Sequence, residues 1–436
     1  MDMMQDKNAD NFETRRDGDS GSVSERAILV GVKFGSSRYA HAAESLDELK
    51  SLAKTAGAEV VVAFIQKRES PDRATLIGRG KMEELQRMVA EEEADVVIFD
   101  SELTASQQRN IEEMLDRKVL DRTALILDIF AQHAHSLEGK SQVEMAQMQY
   151  LLPRLSGKGV QMSRLGGGIG TRGPGETKLE VDRRRIRQRI QTLNRELARL
   201  AKVRLSKRKH RAKMGVPAIS IVGYTNAGKS SLLNTLTGAG VLVEDQLFST
   251  LDTTVRRIIL QNRVMVLGDT VGFINNLPHQ LIEAFKSTLE EVLEADLVLH
   301  VIDASSETMS LKIEAVDAVL EDIGAGHVPQ LRVFNKMDLL RREELENLRA
   351  RYPDAVFVSA KRGTGLEELK DKLASRLLQS REISLLIPYE RGDLLSLVQR
   401  RGVVIRSEAV ARGVEVEAQV PPYMVHVLAP FRLGKA

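Results

Sequence analysis

Residues 223–231 read Gly-Tyr-Thr-Asn-Ala-Gly-Lys-Ser-Ser, and three further short strings follow in fixed order: Asp269-Thr270-Val271-Gly272, Asn335-Lys336-Met337-Asp338 and Ser359-Ala360-Lys361. Gly223 closes an apolar run, and Gly228 lets the backbone wrap an anion, so that successive N–H groups from Tyr224 through Ala227 and the start of the next helix face phosphate. In this pattern Lys229 neutralises the β- and γ-phosphates and Ser230 offers its hydroxyl to Mg²⁺. The loop alone indicates some nucleotide. An Asn-Lys-x-Asp element after a strand narrows the base to guanine, so the expected ligand is GTP or GDP.

Each later string has its own chemistry. Asp269 ends a strand 40 residues after Lys229, which suits an outer-shell partner of the metal, and Gly272 after Thr270 and Val271 can give its N–H to the γ-phosphate. Asn335 and Asp338 are expected to recognise guanine, the carboxylate accepting from N1–H and the exocyclic amine, with the Lys336 stem over the ring and Met337 between them. Adenine lacks that donor pair, and a buried carboxylate left unpaired costs about 1–3 kcal/mol. Ser359, Ala360 and Lys361 supply backbone contact to the guanine oxygen. Between the loop and Asp269 lies Phe248-Ser249-Thr250-Leu251-Asp252-Thr253-Thr254, where a γ-phosphate sensor belongs; its mechanics do not choose among Thr250, Thr253 and Thr254 for the metal. Phe273 stands where many GTPases carry a glutamine that orients the attacking water. Unassisted hydrolysis is therefore expected to be slow, on the order of 10⁻³ s⁻¹ or less. Asn226 is either a K⁺ ligand or a loop-stabilising residue.

Working outward, the runs Ala218–Val222, Arg263–Gly268, Leu297–Asp303, Leu331–Asn335 and Val356–Ser359 alternate with helical stretches, the pattern of a doubly wound nucleotide domain, here residues 215–380. Upstream, Ala27–Phe34, Val60–Ile65 and Val96–Asp100 alternate with the amphipathic stretches Ser45–Thr55 and Lys81–Glu92, predicting an amino-terminal α/β domain over 26–135. Residues 136–214 predict a helical hairpin. Its first helix spans Gln142–Leu152; in its second, Ile186, Ile190, Leu193, Leu197 and Leu200 form one apolar stripe. Between them, six glycines in the ten positions 166–175 dictate a loop. The remainder, 381–436, reads as a small α+β domain with a Gly392–Arg400 helix and strands Val403–Ile405, Val414–Val416 and Met424–Leu428.

At 436 residues, 42% of them hydrophobic and 28% charged, the chain has the composition of a soluble multidomain protein. Its longest apolar runs are far too short to cross a bilayer. Residues 1–25 are polar and Gly/Ser-containing, reading as a disordered tail rather than a secretory signal. The lack of cysteine excludes disulfides and thiolate chemistry and fits a reducing cytosol. Net charge is only +2, yet Arg183–Lys213 holds fourteen basic residues against the single acid Glu196. That block suits a polyphosphate surface such as RNA.

Together with these motifs, Thr75–Lys81, Val119-Leu120-Asp121-Arg122-Thr123 and above all Gly170-Thr171-Arg172-Gly173-Pro174-Gly175-Glu176-Thr177-Lys178-Leu179-Glu180 resemble the HflX family of bacterial ribosome-associated GTPases. The likeness covers nearly the whole chain beyond residue 25. The segment Phe248–Val255 is similar to that family's Phe-Ala-Thr-Leu-Asp-Pro-Thr-Thr pattern, with Ser249, Thr253 and Val255 as departures. The resemblance favours Thr250 beside Ser230 as metal ligand, and Lys229, Thr250 and Gly272 as the catalytic set. It also implies a cytoplasmic monomer, with peripheral membrane contact an open question, that binds the 50S subunit and 23S rRNA and dissociates stalled or idle 70S ribosomes under heat or other stress. The alternative reading is an RNA-binding factor for 50S assembly or subunit anti-association.

Overall fold

The computed structural model describes residues 24–35, 39–155, 178–213, 216–238, 248, 255–261, 263–270, 272–274, 291–378 and 381–433. Residues 1–23 of the expected amino-terminal tail and the glycine loop at 166–175 lie outside them; Ser24, expected in that tail, is described and donates its hydroxyl to the Gly57 carbonyl at 3.0 Å.

The first sheet is parallel, in the order β2-β1-β3-β4, from β1 (Arg26–Phe34), β2 (Glu59–Arg68), β3 (Val96–Phe99) and β4 (Lys118–Asp121). Ala27, Ile28, Leu29 and Val30 of β1 are all fully buried, as a central strand covered on both faces requires. The crossovers are α1 (Tyr39–Thr55), α2 (Arg79–Glu91) and α3 (Ala105–Leu115), followed by α4 (Arg122–His133). Thr104 and Gln107 form a reciprocal capping box at α3, and Asp121 caps α4 by accepting from the Ala124 N–H at 2.8 Å. Strand β4 and helix α3 have no counterpart in the sequence reading.

The hairpin pairs α5 (Leu137–Arg154) with the basic helix α6 (Lys178–Lys213). The stripe predicted on α6 faces its partner: Leu193 is fully buried, and Ile190 and Leu197 pack on the same core as Val143 and Ala146 of α5. Arg189 grips Glu144 with two 2.7 Å bonds, and Arg204 meets Glu138 at 2.7 Å. Arg184, Arg185, Arg187, Arg195, Arg199 and Lys202 stay exposed.

The second sheet has the order β10-β9-β8-β5-β7-β6. Parallel strands β5 (Ala218–Gly223), β7 (Arg263–Asp269), β8 (Leu297–Asp303), β9 (Gln330–Asn335) and β10 (Val356–Phe357) are joined by an antiparallel edge, β6 (Val255–Leu260). Helices α7 (Lys229–Thr237), α8 (Met309–Asp322), α9 (Arg342–Arg351) and α10 (Leu366–Leu378) accompany it. The last sheet is antiparallel, β11 (Arg381–Ile387), β13 (Gly413–Val420), β12 (Val403–Val410), with α11 (Gly392–Arg401) and α12 (Pro422–Leu428) against it. The strand expected at Met424–Leu428 is therefore a helix. Met424 and Leu428, four residues apart, are the two residues of this run buried on one face, a spacing that a short apolar run does not betray.

Leu193→Ala in α6 is expected to cost about 2–5 kcal/mol, the range for emptying a packed leucine site. Hydrogen exchange across 178–213 should speed up while β5 and β8 stay protected.

Candidate nucleotide site

Because β5, β7, β8 and β9 are parallel, their carboxyl ends deliver Gly223, Asp269, Asp303 and Asn335 to one edge of the sheet, where open α/β sheets bind ligands. The loop from Gly223 then turns into α7. Asn226 sits at φ +59° and is exposed. Gly228 is at φ +88°, and a side chain there would collide with the Asn335 amide nitrogen 2.2 Å away, so glycine is obligatory.

Lys229 is buried, and its ammonium donates to the carbonyl oxygens of Gly223 at 3.1 Å and Tyr224 at 2.8 Å. Burial lowers its pKa to about 8, with Asp269 pulling the other way. Ser230 Oγ donates to Asp269 Oδ2 at 2.8 Å, while the buried Oδ1 has no hydrogen-bond partner. Desolvation pushes the Asp269 carboxyl up, against Lys229 and Ser230. A buried carboxylate oxygen without a partner beside a serine hydroxyl fits a hard divalent cation with oxygen ligands. Thr270 bonds the Ile221 carbonyl at 2.7 Å, locking β7 to β5.

Gly272 lies against the loop: a Cβ there would stand 2.8 Å from Thr225 Cγ2 and 3.0 Å from Lys229 Nζ. Phe273 is buried, and its backbone pairs with the loop on both sides, N–H to Gly223 at 3.1 Å and carbonyl from Thr225 at 2.8 Å. It clamps two motifs together and offers no polar group to a water molecule. Ser249, Thr250, Leu251, Asp252 and Val271 lie outside the described residues.

At the base end, the Asn335 amide donates to the Ala227 carbonyl at 2.9 Å and accepts from the Ala360 N–H at 3.0 Å. The side chain thereby joins the phosphate loop to the Ser359–Lys361 loop, a framework role that the motif alone did not reveal and that leaves its second amide hydrogen to face a base. Lys336, at φ +62°, pairs with Asp303 at 2.8 Å. Asp338 is held below the usual carboxylate range by the Ser359 hydroxyl first and then by backbone and cationic neighbours, Arg362 among them. Met337 N–H bonds the Val358 carbonyl at 3.2 Å, and Lys361 is exposed. Ala227, Ala360 and Ser359 are buried.

The sequence reading missed residues that reach the loop from the amino-terminal domain. Glu48 of α1 accepts the Tyr224 hydroxyl, and Phe130 of α4 meets Phe248 edge to face at 4.7 Å. The only signal was the Val119–Thr123 string, to which no role attached.

This fold and loop set define a P-loop GTPase. Three family models agree with it along the chain: GTP-binding GTPase N-terminal over residues 43–131, GTP-binding GTPase Middle Region over 133–211, and 50S ribosome-binding GTPase over 218–336. The chain is 50% identical to the GTPase HflX of Caldanaerobacter subterraneus over 91% of both proteins, and 44% identical to that of Escherichia coli over 87% of this chain and 89% of the other. It belongs to the HflX family of GTPases. A solved GTP-binding protein of Sulfolobus solfataricus in complex with GDP is 28% identical, covering 80% of this chain and 97% of its own, with a TM-score of 0.42.

Two outcomes test the site. A bound polyphosphate stabilises the Lys229 cation and raises its pKa again, so GTP binding above about pH 8 should take up a proton, and below that should not. Calorimetry in buffers of differing ionisation enthalpy reads this directly. Asp338→Asn should shift preference from guanine to xanthine nucleotides, measured by competition.

Proposed function

We propose that this GTPase binds the large (50S) ribosomal subunit in its GTP form, dissociates stalled or idle 70S ribosomes, particularly under heat or other stress, and leaves after hydrolysis. The observation that carries the reading is helix α6. Its apolar stripe packs on α5 through Leu193, Ile190 and Leu197, while Arg184, Arg185, Arg187, Arg195, Arg199 and Lys202 are exposed, so the helix presents cations suited to the phosphates of 23S rRNA. The match of residues 218–336 to a 50S ribosome-binding GTPase model and the HflX relatives support the same partner.

In this proposal Ser230 and Thr250 would hold Mg²⁺, with Asp269 supporting Ser230, and the bound ion would supply charge neutralisation to the phosphates. Lys229 and the Gly272 N–H hold the γ-phosphate, and Asn226 is a candidate K⁺ ligand. Phe273 leaves the attacking water without a side-chain guide, so a ribosomal element is expected to complete the site. To move a two-state equilibrium from 1:99 to 99:1, GTP must favour the binding conformation by about 5.5 kcal/mol. The protein acts as a cytoplasmic monomer; among the described residues no helix is long and apolar enough to cross a membrane.

Sedimentation of 70S and 50S particles with the protein in GTP, GDP and a nonhydrolysable analogue tests this. With the analogue, 70S particles should split and the protein should travel with 50S, the binding falling steeply with salt. Capture by immature 50S particles alone would make it an assembly factor. Equal capture with every nucleotide and with none would remove the proposal.

A further inference from the structure

The Asp-Arg pair of the Val119–Thr123 string is two residues with separate tasks. Asp121 serves the amino-terminal domain: besides capping α4, it accepts from the Leu103 N–H at 3.1 Å, the Tyr150 hydroxyl at 2.9 Å and Arg154 at 3.1 Å. Arg122 points the other way. Its side chain is 2% exposed and bridges Asp100 Oδ1, at 2.7 Å, to the Glu48 carboxylate. Ser45 holds the second oxygen of Asp100 at 2.6 Å. Glu48 in turn accepts the hydroxyl of Tyr224, whose own carbonyl oxygen receives the Lys229 ammonium at 2.8 Å. The chain Asp100–Arg122–Glu48–Tyr224 thus runs from the carboxyl end of β3 to the backbone atom that holds the phosphate-binding lysine.

We infer that Glu48 and Arg122 are positioning residues for nucleotide binding, acting on the phosphate loop through the Tyr224 hydroxyl. A buried arginine is costly unless its charge is matched, and an apolar replacement would hold two domains together equally well; what the ionic chain adds is direction. Arg122 fixes the Glu48 carboxylate, which burial alone would push toward its neutral form, and the carboxylate fixes one rotamer of Tyr224. Lys312 lies 5.4 Å from the centre of the Tyr224 ring, close enough to Glu48 to favour its charge, and is itself tied to Ser306 at 2.8 Å. Tyr224 is thus met from α1 by Glu48 and from α8 by Lys312. Beside it is an interdomain cavity of about 340 Å³, lined by Glu44, Thr225, Asn226 and Thr308 among others, so the loop has room to move once the hydroxyl is released. Peptide planes at Tyr224 carry both the contact to Lys229 and the pairing with Phe273, which makes a shift of this residue a shift of the phosphate site.

The inference rests on the nucleotide site and not on the ribosomal proposal, and its test contains no ribosomes. Release of a fluorescent GDP analogue is timed for the full-length protein and for Tyr224→Phe, Glu48→Ala and the double variant, with thermal unfolding followed in parallel. Each single change should speed release by about tenfold, the scale of one charge-assisted hydrogen bond, and the double variant should be no faster than either. Glu48→Gln, which keeps an acceptor oxygen, should return release most of the way to wild type. Tyr224→Phe removes one hydroxyl and carries the test alone if Glu48→Ala does not fold. Unchanged release in Tyr224→Phe, or effects that multiply in the double variant, would overturn the inference. Wild-type protein that fails to bind the analogue would instead overturn the site itself.

Discussion

A lysine and an aspartate, each buried and each acting on the other's charge, stand where the phosphate loop meets the carboxyl ends of neighbouring strands. Lys229 follows β5 and Asp269 ends β7; both are nearly inaccessible, and burial works against the ionised form of each. Isolated, either would be driven neutral or would unfold the site. Parallel pairing of β5 with β7 sets Ile221 opposite Asp269, bringing the carboxylate under the loop and next to Ser230. The sheet order thereby brings together a lysine suited to phosphate and a carboxylate suited to a metal, the pair on which the proposed site rests. A magnesium nucleotide complements both at once, whereas apolar ligands complement neither.

Aromatic residues extend that constraint beyond the GTPase domain. Phe273 is enclosed in a core that also contains Val222, Tyr224 and Phe248 and continues into Phe130, Leu125 and Ile129 of the amino-terminal domain. The residue after Gly272 is thus committed to packing, and both of its backbone polar groups are committed to the loop. A side chain serving in this way gains stability from burial of its ring and gives up any role with water. The two domains share one hydrophobic core, so a change of shape around Phe248 or Phe273 is felt in α4.

The parts legible in the sequence are those whose signal is local. Val96–Phe99 and Leu297–Asp303 announce themselves as strands covered on both faces, and the four loop motifs announce the nucleotide because phosphate and base contacts demand particular residues at particular spacings. The α6 stripe named its face, and the helix preceding the glycine loop was its partner. Less legible were β4, four residues long with one apolar face, and α3, whose helical signal rests on Gln107, Ile111 and Leu115 in an otherwise polar run. Strand β6 exposes four of its six residues as an antiparallel edge, and β11 was passed over because only its alternate positions are buried. Glu48 was invisible in principle. An acid in an amphipathic helix reads as a solvated face, and only the tertiary fold brings Arg122 and Tyr224 to it.

Asn335 joins the base end of the site to its phosphate end. One amide hydrogen of this side chain goes to the Ala227 carbonyl and its oxygen accepts from the Ala360 N–H, while its second amide hydrogen is used by neither contact. In the proposed site the base is selected chiefly at Asp338, whose carboxyl Ser359 first and then Arg362 among its neighbours hold below the usual carboxylate range. An ionised carboxylate only accepts hydrogen bonds. It is satisfied by the adjacent N1–H and amino donors of guanine, but adenine sets a ring acceptor against it and leaves a charge unpaired. Discrimination therefore comes from the penalty against the wrong base as much as from attraction to the right one. Because Asn335 bridges the two ends, and Gly228 has no side chain to obstruct it, seating the base and shaping the phosphate loop are parts of one rigid arrangement.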